Sequence, residues 1–182
     1  MSQKSILKHL SVLFSFGVVV LILSVFNSCS GNKKMKEGYY FEDFDVLRFW
    51  NHDVMVTREQ AHSGDYAAFT DSSNEFSQAF VMDYGYARSK GFRSITVNAF
   101  CRKTSSSATG GLLTSIESAG KKSASILADI SVSVKKPDHW EKVTTVLNLP
   151  DQAPGDSKIK IALWSPGKYK LYLDDIEIEF KK

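Results

Sequence analysis

The chain has 182 residues, and its 23 lysine and arginine residues against 20 aspartate and glutamate residues give a formal net charge of +3. A chain of this length corresponds to one domain of ordinary size. Because positive and negative residues nearly balance, the overall charge of the chain does not indicate binding to nucleic acid or to an acidic polymer.

The N-terminal segment has the pattern of an export signal. Lys4 and Lys8 precede an apolar run over residues 10–26, and Ser28-Cys29 follows directly. A basic region, an apolar region and a small-residue processing site in this order are typical of secretory signals. The segment resembles the lipobox of bacterial, Bacteroidetes-like lipoproteins, in which a peptidase cuts before a lipid-carrying Cys. The resemblance implies a signal peptide over residues 1–28, lipidation at Cys29 and a tether over residues 29–38.

Two alternatives remain for this segment, an uncleaved anchor helix and ordinary secretion. The apolar run reaches the short end of a membrane span, about 17 residues. A lipoprotein Cys normally carries more than one acyl chain, which is enough for stable membrane anchoring. Some Bacteroidetes-like lipoproteins carry acids directly after the lipidated Cys as a surface-export signal. This chain has no acid after Cys29 until Glu37, so the resemblance implies a lipid-anchored protein of the bacterial cell envelope that faces the periplasm. Processing would leave 154 residues with a net charge of +1.

Residues 39–182 are dominated by the alternation of β-strands. In Ile95–Lys103 and Lys158–Trp164, every second residue is apolar, which is the period of a half-buried strand. Glycine and proline turns separate the segments. Further strands are predicted over 53–57, 66–70, 77–82, 111–117, 125–134, 140–149 and 171–180. The pattern predicts an all-β sandwich, preceded by the N-terminal signal or anchor helix.

Cys101 lies in the alternating apolar set of its strand, together with Val97 and Ala99. No His lies near it in sequence and no cysteine motif surrounds it. We therefore expect a buried core thiol and not a nucleophile.

A series of short motifs resembles a known family. The motifs are Phe41-Glu42, His62-Ser63-Gly64, Ile95–Ala99, Trp140–Val143 and Leu171–Ile176. Their order resembles that of the galactose-binding-like β-jelly rolls, in particular the carbohydrate-binding modules found beside xylanases and other glucanases. The resemblance spans most of residues 39–182 and implies a jelly roll that binds a glycan without catalysis. The same jelly roll also serves as a domain with no sugar ligand.

Asp174 is a candidate metal ligand. Alternation along the last strand places it on one face with Tyr172 and Ile176, whereas Asp175 falls on the opposite face. A buried, unpaired carboxylate is costly, so Asp174 caps backbone amides, meets a lysine or binds a metal. The resemblance implies one structural calcium ion. Its ligands would be side-chain oxygens of Glu42 and Asp174 and backbone carbonyls of Tyr40 and Asp65.

The candidate sugar site is an aromatic surface with polar neighbours. Trp164 lies opposite the apolar set of its strand and beside the small Ala162. On the strand Ile95–Lys103, three side chains point away from the apolar set: Asn98, Phe100 and Arg102. If both strands lie in one sheet, these residues form one surface with Trp164. Tyr84 and Tyr86 would line its edge.

Signals of catalysis are weak in this sequence. The four histidines lack metal-ligand spacing, and no nucleophile-elbow motif is present. The sequence therefore favours a membrane-anchored, non-catalytic glycan-binding lipoprotein. The alternative is an envelope protein–protein interaction or adhesion domain with no sugar ligand.

Overall fold

The computed structural model describes residues 36–49 and 55–182. The predicted signal peptide and Cys29 lie outside these residues. The described residues form ten strands and two short helices. In chain order these are β1 Tyr39–Glu42, β2 Val56–Thr57, β3 Ala67–Thr70, β4 Phe80–Asp83, α1 Tyr84–Ser89, β5 Ser94–Lys103, β6 Gly111–Ser118, β7 Lys121–Asp129, α2 Ile130–Ser133, β8 Glu141–Asn148, β9 Lys158–Trp164 and β10 Leu171–Lys181. Neither of the two described helices has the length and apolar character of a membrane span.

The strands form two antiparallel sheets. The six-stranded sheet has the order β2-β3-β10-β5-β8, and β1 also pairs with β10. The four-stranded sheet has the order β4-β9-β6-β7. The inner faces of the two sheets meet in one apolar core, to which Val97 and Ile178 contribute from the first sheet and Ile116 and Ile161 from the second. The fold is an all-β sandwich of the jelly-roll type, as the sequence predicted.

Alternating burial confirms the predicted faces of β5 and β9. In β5, Ile95, Val97, Ala99 and Cys101 are buried, whereas the residues between them are partly exposed. In β9, Ile159, Ile161 and Leu163 face the core. Burial also raises the pKa of the Cys101 thiol to about 12. A thiol with that pKa is protonated at neutral pH, which agrees with the predicted core role.

The two short helices were not predicted, and one of them replaces the end of a predicted strand. The strand predicted over 125–134 ends at Asp129, whose side chain accepts a hydrogen bond of 2.7 Å from the Ser131 amide and so caps α2. Tyr84 lies in α1 and is buried on the same helical face as Ala87, three residues further along. Tyr84 and Tyr86 therefore do not share a face, as alternation along a strand would predict, because they lie on a helix.

Strand β10 contains an irregularity that corrects the predicted faces of its carboxylates. Asp174 pairs in register with Phe100 and Glu177 with Asn98, so an extra residue interrupts the ladder between Asp174 and Glu177. Asp175 in this β-bulge has a φ of +45°. Because Phe100 faces outward, Asp174 does so too, whereas Ile176 and Ile178 face the core. The predicted inward direction of Asp174, shared with Ile176, is wrong because the bulge shifts the alternation.

Candidate functional site

The outer face of the four-stranded sheet carries a groove of about 270 Å³. Its floor is formed by small and apolar side chains of three adjacent strands and the segment before β4. The lining residues are Phe76, Ser77, Ala79, Leu113, Ser115, Glu117, Lys122, Lys160 and Ala162. Ala162 and Leu113 pair in register, and both point away from the core. The groove therefore has an apolar floor with polar groups at its margin, which is the usual composition of a small-ligand site.

An aromatic pair stands at one end of the groove. Phe76 is 47% exposed, and its ring stacks on Trp164, with ring centroids 6.3 Å apart and planes at 25°. The Trp164 indole Nε1–H donates a hydrogen bond of 2.8 Å to Glu75 Oε1. This bond fixes the indole and leaves Phe76 as the exposed ring. A backbone bridge between Phe76 and Trp164 holds the two residues side by side.

Glycine residues allow β6 to approach its neighbours beside this pair. Gly110 has a φ of +117°, and a Cβ added there would lie 2.0 Å from the Trp164 carbonyl oxygen. A Cβ added to Gly111, which pairs with Trp164, would lie 1.9 Å from the Ala128 carbonyl oxygen. Residues with side chains would displace these strands, so the glycines maintain the aromatic end of the groove.

The opposite end of the groove is charged. Glu117 forms an ion pair with Lys160, and Lys158 forms one with Asp83. Glu117 pairs in register with Lys158 on one side and Lys122 on the other, so the three side chains stand in one row on the outer face. Hydroxyls and charged groups thus border the apolar floor at this end.

The predicted single platform of Trp164 with Asn98, Phe100 and Arg102 is not formed. Trp164 lies on the four-stranded sheet, whereas the other three residues lie on β5 in the six-stranded sheet. Both sets point outward as predicted, but outward directions of two packed sheets are opposite. The condition that both strands share a sheet, on which the composite surface depended, does not hold.

The outer face of the six-stranded sheet is partly covered by the segment of residues 58–65. His62 stacks on Phe100, with ring centroids 3.6 Å apart. Arg102 donates hydrogen bonds to Gln60 Oε1 at 2.7 Å and to Asp138 Oδ1 at 2.8 Å. Asn98 accepts a hydrogen bond from Thr144 Oγ1 at 2.8 Å. Internal contacts therefore occupy all three predicted ligand residues of this face.

The two predicted tyrosines lie on α1 and differ in exposure. Tyr84 is buried, and its hydroxyl donates a hydrogen bond to the Pro150 carbonyl oxygen. Tyr86 is 48% exposed and lies outside the groove lining. Tyr84 is thus a structural residue, and Tyr86 is an exposed aromatic on a different part of the surface.

Asp174 is held by backbone amides. Its Oδ2 accepts hydrogen bonds from the His62 and Ser63 amides at 2.7 and 3.1 Å, and its Oδ1 accepts one from the Asp175 amide at 2.8 Å. Asp175 turns to the same segment, because its oxygens lie 2.6 Å from His62 Nδ1 and from Ser63 Oγ. The prediction that these two carboxylates point to opposite faces is wrong, again because of the bulge.

The other predicted calcium ligands are distributed around the end of β1. Glu42 Oε2 accepts hydrogen bonds from the Arg48 and Phe49 amides at 2.7 and 3.0 Å, whereas its buried Oε1 has no hydrogen-bond partner within the described residues. Asp65 is exposed, and Tyr40 lies in β1. The described residues hold no group of three or more His, Cys, Asp or Glu side chains placed to bind a metal ion. A calcium ion here would depend on the backbone carbonyls, and it stays a prediction.

Sequence reasoning missed Phe76, the most exposed aromatic residue of the groove. It precedes β4 in an irregular segment, so no alternation indicated its direction. Its position next to the predicted strand 77–82 gave no periodic signal. Phe76 reaches the groove through its backbone bridge to Trp164, a residue that lies far from it in the sequence.

Comparison with known proteins supports the fold. No protein-family model and no curated protein matches the sequence. Among solved structures, the C-terminal family 22 carbohydrate-binding module of Clostridium thermocellum Xyn10B has a TM-score of 0.53 at 12% identity, over 79% of this chain and 94% of the module. A xylan-binding domain of the same family has a TM-score of 0.53 at 10% identity, over 79% of this chain and 95% of that domain.

A third similar structure is the second family 22 xylan-binding domain of Paenibacillus barcinonensis Xyn10C. Its TM-score is 0.51 at 12% identity, over 78% of this chain and 99% of that domain. At such identities the similarity shows a shared fold only. The chain therefore has the β-sandwich jelly roll of carbohydrate-binding modules.

The buried carboxyl of Asp174 predicts a pH-dependent stability. Burial raises its pKa from 3.8 to about 6, although the His62, Ser63 and Asp175 amides act in the opposite direction. A raised native pKa stabilises the fold fully below about pH 4, and this stabilisation is lost as the pH rises through about 6. Urea unfolding between pH 4 and pH 7 should show the wild type losing up to about 3 kcal/mol relative to Asp174→Asn.

The matched control is Asp151→Asn, since the Asp151 side chain is 93% exposed. This variant should keep the pH dependence of the wild type. An Asp174→Asn variant whose stability difference from the wild type is the same at every pH would show that the pKa of Asp174 is ordinary.

The calcium prediction is tested by thermal unfolding of chelator-treated protein. Calcium binding would raise the melting temperature by several degrees, at about 2–4 °C per kcal/mol. Glu42→Gln should remove the response because it removes a charged ligand while keeping the side-chain size. A wild-type melting temperature that calcium does not change would contradict the prediction and leave the amide contacts as the partners of Asp174.

Proposed function

We propose that this protein is a non-catalytic glycan-binding domain whose ligand lies in the groove of the four-stranded sheet. The observation that carries the proposal is the exposed Phe76 ring, stacked on Trp164 at the end of an apolar floor. An exposed aromatic beside an apolar groove is a common basis for ligand binding on a soluble domain.

A sugar chain matches this combination of surfaces. A pyranose ring has an apolar face of C–H groups that stacks on an aromatic ring, and hydroxyls at its edge. Phe76 supplies the ring, and Leu113 and Ala162 supply an even floor along which a linear chain lies. Ser115 and Glu117 supply polar groups to the hydroxyls. The shared fold with xylan-binding modules agrees with this proposal but does not identify the sugar.

The composition of the groove supports binding without hydrolysis. Glycoside hydrolysis generally requires two carboxyl groups that flank one glycosidic bond. Of the nine lining residues, Glu117 alone is acidic, and it forms an ion pair with Lys160. The amide-bound carboxylate of Asp174 lies on the other sheet.

We further propose that the domain is anchored to a bacterial envelope membrane through a lipid on Cys29 and faces the periplasm. This proposal rests on the order of the basic, apolar and small residues before Cys29. The lipid would hold the glycan-binding domain near the envelope and so raise its effective concentration toward a ligand there.

Replacement of Phe76 tests the glycan proposal. Phe76→Ala should weaken binding of the full chain to its glycan by about tenfold or more, because a stacking ring contributes on the order of 1.4 kcal/mol or more. Binding is measured by glycan array, followed by titration calorimetry on the glycans retained. The array includes neutral plant, host and bacterial glycans.

Tyr86→Ala is the matched control, since Tyr86 is an aromatic of nearly equal exposure outside the groove. It should bind as the wild type does, and the melting temperatures of both variants should show that they fold. If the wild type binds no glycan, the proposal fails and the protein-interaction alternative is favoured. Glycan binding that Phe76→Ala leaves unchanged would exclude the groove as the site.

Metabolic labelling with radioactive palmitate tests the anchor. The wild-type chain should be labelled and found in the membrane fraction, and Cys29→Ser should be unlabelled. An unlabelled wild type would contradict lipidation. Protease treatment of intact cells should leave the domain uncut if it faces the periplasm, whereas its removal would place it on the cell surface.

A further inference from the structure

The groove is charged unevenly along its length. The aromatic pair stands where Gly111 of β6 pairs with Trp164, and the charged row stands where Glu117 of β6 pairs with Lys158. The steps from Gly111 to Glu117 correspond to about 20 Å at about 3.3 Å per residue. At the aromatic end, the Glu75 carboxylate accepts the hydrogen bond of the Trp164 indole. A chain of several sugar units that stacks on Phe76 would therefore extend to the charged row.

The charged row has an excess of ammonium groups. Together with the neighbouring Lys160 and Asp83, the row contains three lysines and two acids. The lysines are Lys122, Lys158 and Lys160, and the acids are Glu117 and Asp83. Asp83 forms an ion pair with Lys158, and Glu117 forms one with Lys160. Lys122 lines the groove, and its side chain makes no ion pair or hydrogen bond within the described part of the chain. The far end of the groove therefore presents an ammonium group without a protein partner.

Resting on the proposed glycan function, we infer that the groove selects a glycan with an anionic substituent, which Lys122 binds at the end opposite Phe76. The substituent is a carboxylate, as in a uronic acid, or a sulfate ester, since an ammonium group binds both as a point charge. The near-neutral charge of the whole chain does not oppose this, because the effect is local and acts within about one Debye length.

The position of Lys122 suits this role better than a role in protecting the sheet edge. Strand β7 is an edge strand, and edge lysines commonly prevent pairing with other chains. Lys121 and Ser123 are also exposed on β7, but Lys122 pairs with Glu117 and lies along the groove. Glu117 forms its ion pair with Lys160 and not with Lys122, so an incoming anion meets an ammonium group that no ion pair engages.

Matched polymer pairs test the inference on the full chain. The pairs are glucuronoxylan and its carboxyl-reduced form, homogalacturonan and its methyl ester, and a sulfated galactan and its desulfated form. Affinity electrophoresis compares the wild type with Lys122→Gln, Lys136→Gln and Phe76→Ala. Lys136 is exposed and lies outside the groove lining, so its variant controls for the loss of one positive charge.

We expect the wild type to bind the anionic member of at least one pair about two- to fivefold more tightly than its neutral partner, the size of one exposed ion pair. Lys122→Gln should abolish this preference but keep binding to the neutral member, whereas Lys136→Gln should keep both. The preference should also vanish at 0.5 M salt because salt screens exposed charges. The carboxylate and sulfate pairs separate the two sources of the anion.

The failure of this inference is distinguishable from the failure of the proposed function. Equal binding to both members of every pair, lost in Phe76→Ala, would overturn the anionic preference and leave glycan binding in place. A preference that persists in Lys122→Gln would overturn the role of Lys122. A wild type that binds no member of any pair would overturn both.

Discussion

Strand β10 organises the six-stranded sheet because three strands pair with it. Strand β5 runs along one edge, and β3 and β1 pair with separate parts of the other. Between those two parts lies the bulge at Asp174–Asp175, which faces the segment carrying His62 and Ser63. One inserted residue thus lets the strand turn two carboxylates toward a single loop, while Leu173 and Ile176 still face the core. The buried charge of Asp174 is compensated by three amides, so the loop and the bulge depend on each other.

This dependence makes the two outer faces of the sandwich unequal. On the six-stranded sheet, the anchored segment brings His62 onto Phe100 and Gln60 to Arg102, so the residues that resemble a ligand surface are engaged internally. On the four-stranded sheet, the floor between Phe76 and Lys122 forms a groove. Both faces present aromatic and polar residues. The segment of residues 58–65, which Asp174 holds in place, covers one of these faces. The other face is therefore the one available to a ligand.

The sequence was sufficient for the features that depend on local alternation. The inward and outward sets of β5 and β9 were predicted correctly, as were the burial of Cys101 and the outward direction of Trp164, because each follows from period two along one strand. Period two does not indicate to which sheet a strand belongs. The predicted common surface of Trp164 and Phe100 is therefore wrong, because the two residues lie on different sheets. The bulge at Asp174 produces no periodic pattern in the sequence, so it could not be predicted. The end of β7 was also missed, because the residues after the helix cap Asp129 resemble those of a strand. Phe76 lies in an irregular segment, so only its pairing with Trp164 reveals its place.

The carboxylates of Glu117 and Asp174 lie on opposite outer faces of the sandwich. Glu117 lies in the groove among lysines, where its charge is compensated and its ion pair with Lys160 occupies one oxygen. Asp174 is buried beneath a loop on the opposite sheet, where its partners are amides and its pKa is raised to about 6. Packed sheets are about 10 Å apart, and both side chains point away from the space between them. The two groups therefore cannot act on one glycosidic bond, and each instead stabilises a local arrangement: the loop over one face, and the charged end of the groove on the other.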